Sequence, residues 1–500
     1  MFKDHPKGLA VLFFTEMWER FGFYTMLAIF VLYLQENYHW GTTEVTSIYG
    51  IFLAAVYFTP ILGGWIADNY LGYGKTITIG AVIMAIGYAL MAIPTHSPVQ
   101  LYLALTVVVL GNGLFKANIS VLVGNLYSHK SGSVKDAGYN IFYMGINIGA
   151  FYAPQAASGI KNFMIANFGS TLAEGYNAGF AVAAIGMIVS FLIFTVFKKY
   201  YKDADYQSKN VTNTDKDLHL SKEQERERIG ALLTIFAIVI FFWMAFHQNG
   251  SALTLFARDY TSHIVGKITY ILFDFFGIHG ILAVLLGTGF LFSKKTSPKA
   301  KAYAGFAVAV GISILIYKLS TLGNVNEIAP EQFAYFNPMF IVLMTPIIVG
   351  FFKYLNKKGK EPSSPAKIGL GMLYTALAFF VMVIASQALP ASHTLNGASS
   401  SITVSPYWLI SSYFIVTIGE LHLSPMGLSF VSKVAPPKIK GLMMGLWFGA
   451  TAVGNYLSGF VGRFYQNWEL WQFFALLVTT SLISAGLILI FLKRLKHATR

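Results

Sequence analysis

The sequence has no cysteine, which excludes a disulfide framework, thiolate metal sites and thiol catalysis. Charge is scarce as well: Asp, Glu, Lys and Arg make up 12% of the 500 residues, about half the share of an ordinary soluble chain. Acidic groups are the scarcer sign, 22 against 36 basic ones, for a net charge of +14. No His-Glu-x-x-His motif is present to hold a catalytic zinc. Gly111-Asn112-Gly113 sits inside an apolar stretch, without the spacing or the preceding strand of a phosphate-binding loop. Nothing resembles a nucleophile with its base and orienting group, so the chain does not read as an enzyme. What fills it is apolar: 55% of the residues are hydrophobic, and the mean hydropathy is +0.58. This is the composition of an all-α membrane protein that crosses a bilayer many times, with no cofactor expected.

Stretches long enough to span as helices, about 20 residues each, run 9–34, 45–67, 76–95, 99–126, 138–160 and 176–197. Eight more run 229–258, 265–292, 302–320, 337–355, 368–389, 406–432, 441–462 and 470–492, fourteen in all. Between the sixth and seventh lies a hydrophilic linker, 200–228, which holds 13 of the chain's 58 charges. It divides the chain into a first bundle, 1–199, and a second, 229–500, in which a pair of helices at about 265–320 is extra. Lys and Arg set the orientation. With the N-terminus inside, 29 of the 36 basic residues fall on the inner side, among them Lys75, Lys130, Lys294, Lys295, Lys353 and Lys438. Both termini are therefore expected in the cytoplasm, and the membrane is expected to be the cell's inner, cytoplasmic one. The positive excess is topological, so nucleic acid is not an expected partner. The first apolar stretch is too long for a cleavable signal and carries three charges, Glu16, Glu19 and Arg20.

A charge at membrane depth costs roughly 2.5 to 3.5 kcal/mol on insertion scales, so it is expected to face a bundle interior or a water-filled path. Glu16, Glu19 and Arg20 are spaced by three and four residues, which puts them on one helix face with Tyr24 one turn further. Glu16 can pair with Arg20. Lys116 stands alone in the fourth stretch and Glu420 alone in Ile418-Gly419-Glu420-Leu421-His422. Either these two neutralise one another across the halves, or each holds one end of a zwitterionic ligand. The plainer reading, buried ion pairs that only fix packing, suits lone charges in different halves less well, because apolar side chains would pack without the desolvation cost. His422 lies two residues from Glu420 and so on another face, which argues against a metal site there. Asp274 and His279, in the stretch 265–292, are expected at interfacial or snorkelling positions rather than in an accessory site.

With their flanks, these residues resemble the proton-dependent oligopeptide transporter family of the major facilitator superfamily. Glu16-Met17-Trp18-Glu19-Arg20-Phe21 is similar to the family's first-helix pattern. Gly63 to Lys75 resembles the superfamily's cytoplasmic turn, with Asn69 where a basic residue is common. Phe142 to Phe151, with Asn147, is close to the family signature, and Gly419 to Ser429 matches the tenth family helix. The resemblance implies a fold of two six-helix bundles, here with two extra helices, and proton-driven import of di- and tripeptides. By analogy Arg20 and Lys116 would bind the peptide carboxylate, and Asn147, Asn337 and Glu420 its amino end. Tyr24, Tyr57, Trp243 and Trp447 would line side-chain pockets. Glu16, Glu19 and Arg20, with Lys116 and Glu420, would belong to the proton-coupled switch. Peptides, protons and the lipid bilayer are the implied partners, with no obligate protein partner evident.

Two departures stand out. The seventh family helix reads Phe242-Trp243-Met244-Ala245-Phe246-His247, with His247 where many bacterial relatives have an acidic residue, and Phe23 replaces the first tyrosine of a usual pair. His247 is either a titrating member of the proton path or a neutral packing group. The same architecture adapted to another small anion or amino-acid-like solute is therefore an alternative, as is a peptide receptor that does not transport.

Overall fold

The computed structural model describes residues 5–127, 132–205, 221–293, 296–395, 398–436 and 440–497. The linker segment 206–220, and Lys130, Lys294, Lys295 and Lys438 of the basic loops, lie outside the described residues.

Long apolar runs leave the backbone to satisfy its own N–H and C=O groups, and in a bilayer a helix does this within one segment. The first six helices are α1 (Lys7–Tyr38), α2 (Thr42–Ile66), α3 (Tyr73–Ala92), α4 (Pro98–Asn125), α5 (Gly132–Phe168) and α6 (Leu172–Val196). After the linker come α7 (Lys222–Phe246), the short α8 (Ala252–Tyr260) and α9 (Lys267–Tyr270), then α10 (Phe275–Phe292) and α11 (Pro298–Thr321). The chain ends with α12 (Phe336–Lys357), α13 (Ser364–Ser386), α14 (Tyr407–Val434), α15 (Lys440–Asn467) and α16 (Leu470–His497).

Ten described helices are long and apolar enough to cross a membrane, against the fourteen spans expected from sequence. The other long ones are α1, α5, α14 and α15, and buried polar groups lower their hydropathy. Among them are Glu16, Glu19 and Arg20 on α1, Asn147 and Lys161 on α5, Glu420 and His422 on α14, and Thr451 and Asn455 on α15.

One expected helix is broken and another starts late. The stretch 229–258 is not one helix: α7 stops at Phe246, and a 3-10 turn, His247–Gly250, leads into α8. Tyr49 of α2 reaches that turn so closely that a Cβ on Gly250 would stand 1.9 Å from its hydroxyl. The helix expected from 265 begins only at 275. Before it, β1 (Ile264–Val265) pairs antiparallel with β2 (Asn326–Glu327). Asp274 caps α10, accepting from Gly277 N–H at 2.7 Å, and its other oxygen accepts from Lys318 Nζ of α11 at 2.8 Å. His279 bonds Tyr152 Oη of α5 at 2.8 Å and its own helix at Phe275 O. Both residues are thus engaged in joining elements.

α1, α3, α4, α5 and α6 pack together with α2, while α7 packs with α13 to α16 and α12 lies on α14; α10 and α11 pack chiefly on one another. At the end of the bundle where α1 turns into α2, one buried core runs through both groups, joining Phe30, Tyr49 and Leu53 to Phe256, Phe336 and Phe474. At the other end the second group has a separate core built on Leu232, Phe236, Met372, Phe430 and Ile488. Among the described residues, therefore, a shared buried core joins the two groups at the one end and not at the other. At the joined end α2 crosses α15 at a backbone contact, where a Cβ on Gly50 would lie 2.5 Å from Gly459 Cα. Polar links span the same end. Thr43 N–H and Oγ1–H donate to Gln466 Oε1 at 3.2 and 3.1 Å, Arg463 donates to Ser47 at 3.0 Å, and Arg258 donates to Gln35. Lys161 of α5 forms an ion pair with Glu331, in the 3-10 turn before α12, and both side chains are buried.

Candidate functional site

The α1 triplet faces inward, as its spacing predicts, but the partners within it are uneven. Arg20, 1% exposed, donates through Nε and Nη2 to both carboxylate oxygens of Glu19. Glu16 is the second partner, at 3.7 Å, and its Oε2 has no hydrogen-bond partner among the described residues. The guanidinium also lies over the Phe23 ring, 4.7 Å from the centroid, so the residue that replaces a tyrosine serves as an apolar platform. Asn112 of α4 completes the shell. With its amide oxygen toward α1 it accepts from Arg20 Nη2 at 3.0 Å, and it donates to Val56 O of α2 at 3.2 Å.

One turn along α4 from Asn112, Lys116 sets its ammonium 4.5 Å from the centre of the Tyr57 ring. It is within electrostatic reach of Glu16, Glu19 and Arg20, yet no carboxylate forms an ion pair with it among the described residues. Across the bundle Tyr57 meets His247, ring centres 6.1 Å apart. His247 stacks on Trp243 at 5.6 Å and 29°. His247 Nε2 and Trp243 Nε1 are both buried without a partner.

On the second group Glu420 Oε2 accepts from Asn337 Nδ2 at 2.9 Å, and the same amide donates to Thr417 Oγ1 at 2.9 Å. Glu420 does not pair with Lys116. Tyr24, Tyr57 and Tyr143 are all within electrostatic reach of it. The alternative in which Lys116 and Glu420 neutralise one another does not describe this conformation.

The remaining expected residues sit less centrally. Asn147 is buried and donates to Tyr143 O on its own helix at 3.0 Å. Trp447 lies in the core of the second group, edge-on to Phe236 and pressed on Gly427, where a Cβ would come within 2.0 Å of its ring. His422 is held apart from Glu420 by its bond to Ile418 O at 2.8 Å and by the rings of Tyr374 and Phe352. Among the described residues no three His, Cys, Asp or Glu groups are placed to hold a metal ion. Sequence reasoning passed over Asn112 and Tyr143. Asn112 lies between glycines whose spacing says only that they form no phosphate-binding loop, and Tyr143 lies within the Phe142–Phe151 motif, where the spacing gives it no role.

The POT family model matches residues 74–221 and 313–472. Between them the two matches leave out 222–312, which holds α7, the turn that begins at His247, and α10. An uncharacterized transporter of Bacillus subtilis, YclF, is 30% identical over 100% of this chain and 96% of its own length. The peptide transporter YePEPT of Yersinia enterocolitica is 30% identical, covering 92% of this chain and 88% of its own. Dipeptide and tripeptide permease A of Escherichia coli is 28% identical, covering 91% and 84%. Among solved structures, a peptide transporter POT in complex with alafosfalin superposes with a TM-score of 0.75 at 26% identity, over 100% of this chain and 96% of that one.

Proposed function

The chain belongs to the POT family, and from that premise we propose that it is a proton-coupled symporter that imports di- and tripeptides by alternating access. One observation carries the reading: the basic group, Arg20 and Lys116, stands on one side of the bundle, and the acidic Glu420 with Asn337 on the other, unpaired with each other. A short peptide presents a carboxylate and an ammonium at a separation fixed by its length, so such a site selects by length and leaves side chains to the aromatic wall. Arg20 and Lys116 take the carboxylate end, and Glu420, Asn337 and Asn147 the amino end. Tyr24, Tyr57 and Trp243 line the side-chain space. Glu16, Glu19, Arg20, Lys116, His247 and Glu420 form the proton-coupled set.

The bundles 1–199 and 229–500 are the rocking units, joined by the linker 200–228. Fusion at one end and separation at the other suit a conformation open toward the side of the basic loops. Both termini lie in the cytoplasm and the protein resides in the inner membrane, as the distribution of Lys and Arg supports. Gradient-driven accumulation separates this reading from a receptor or an enzyme. Proteoliposomes holding the protein, with the outside made acidic, concentrate labelled dialanine above the external level, and a protonophore abolishes the excess. Peptide binding without accumulation would leave only the receptor reading, and accumulation of amino acids but not of peptides would favour the other-solute reading.

A further inference from the structure

We propose that the seam between the two helix groups, where α2 and α7 stand on either side of α15, is a docking groove for one acyl chain of a bilayer phospholipid. α2 contributes Ala54 and Phe58, α7 contributes Leu233 and Ala237, and α15, which packs on both helices, lays Gly449 and Tyr456 along the floor. The groove has a volume of about 700 Å³, within the roughly 300 to 1,000 Å³ of sites that hold small molecules. Its place follows from the crossing of α2 and α15 at Gly50 and Gly459. Ala54 and Phe58 lie about one and two turns on from that contact along α2, and Tyr456 and Gly449 about one and three turns back along α15. Ala55 packs on the core that the two groups share, whereas Phe236 belongs to the separate core of the second group. The groove is thus the gap between two cores. It is distinct from the site around Trp243 and His247, neither of which lines it, and α15 closes on α7 at Gly454, where a Cβ would stand 2.5 Å from Trp243 Cβ.

The lining indicates the occupant. Tyr456 Oη is the one polar side-chain group among the residues that border the groove. A water needs roughly two to four polar partners and does not find them there, and the charged ends of a peptide would be buried without a partner. Phe58, Leu233 and Tyr456 are exposed at the rim, and α2 and α7 are among the helices long and apolar enough to cross a membrane, so the mouth of the groove meets the hydrocarbon of the bilayer. A concavity left empty forfeits dispersion contacts along its lining, and an unbranched tail supplies them. Gly449 leaves room for it, since a Cβ built there meets no atom within 4 Å. Because the walls belong to different groups, a seated tail favours the conformation in which they stand apart at this end.

Native mass spectrometry of the purified full chain in detergent, titrated with dipalmitoyl phosphatidylethanolamine, tests the assignment. Wild type is expected to hold a first lipid several-fold more tightly than those that follow, and dibutyryl phosphatidylethanolamine, with the same headgroup, should not displace it. Gly449→Phe puts a ring in the groove and should weaken that first lipid several-fold. Ala237→Leu, which narrows the groove from α7, should weaken it less. Gly289→Phe on α10, where a Cβ likewise meets nothing within 4 Å, lies outside the groove and should bind as wild type does. A first lipid held as tightly by folded Gly449→Phe, or by Ala237→Leu should the glycine variant not fold, overturns the groove, as does an equal loss in Gly289→Phe or displacement by the short-tailed lipid. A dimer of wild type that Gly449→Phe dissolves also overturns it and assigns the face to a second copy. No peptide enters the measurement, so failure of the groove and failure of the transport reading are told apart.

Discussion

Glu19 and Glu16 sit one turn apart on the same face and do different work. Glu19 carries the Arg20 guanidinium, and both are buried. Removing one partner of such a pair strands the other charge, at a cost on the order of 3 to 5 kcal/mol. Glu19→Gln should therefore lower the thermal unfolding midpoint in detergent well beyond Glu16→Gln, whose carboxylate is the looser partner at 3.7 Å. Equal shifts would show that Arg20 divides its interaction evenly. At this scale the sequence was informative where spacing decides: three charges at i, i+3 and i+4 had to share a face, and lone charges at membrane depth had to face inward. It was silent on Asn112, whose role depends on the α2 carbonyl of Val56, and α4 periodicity carries no information about that neighbour. Likewise Trp447, read as lining the ligand space, proves to be buried against Gly427 and Phe236.

Helix boundaries were legible wherever a long apolar run met a turn, and less so wherever a tertiary neighbour set the end. The break at His247–Gly250 coincides with the approach of Tyr49, and α10 starts late because Asp274 caps it and binds Lys318. Asp274→Ala removes the cap and strands the lysine. An N-cap alone is worth about 0.5 to 2 kcal/mol, so the variant should unfold at a lower temperature while dialanine uptake per folded molecule stays at the wild-type level. A large loss of uptake would give the α10–α11 pair a place in transport itself. The fused end offers a second test at the scale of elements, because the chain has no native cysteine to interfere. Thr43→Cys with Gln466→Cys places thiols at a contact now spanned by hydrogen bonds of 3.1 and 3.2 Å. A short thiol cross-linker should lock α2 to α15 and stop uptake, and a reductant should restore it. Full uptake in the cross-linked protein would mean that this end never opens.

Over the whole molecule, composition and charge distribution pointed to a helical membrane bundle, and the motif residues pointed to its family. The parting of the two cores at one end was not legible, since it depends on which helices touch and on the conformation the chain has adopted. The proposed clamp rests on that arrangement: Arg20 and Lys116 of the first bundle stand apart from Glu420 of the second, and a zwitterion would span them. Accumulation of labelled dialanine against its gradient, measured side by side in proteoliposomes of wild type, Lys116→Ala and Glu420→Ala under an imposed pH gradient, tests this most directly. Wild type should concentrate the peptide, and both variants, inserted and monodisperse, should fall to the level of empty liposomes. Wild-type accumulation in both variants would contradict the account.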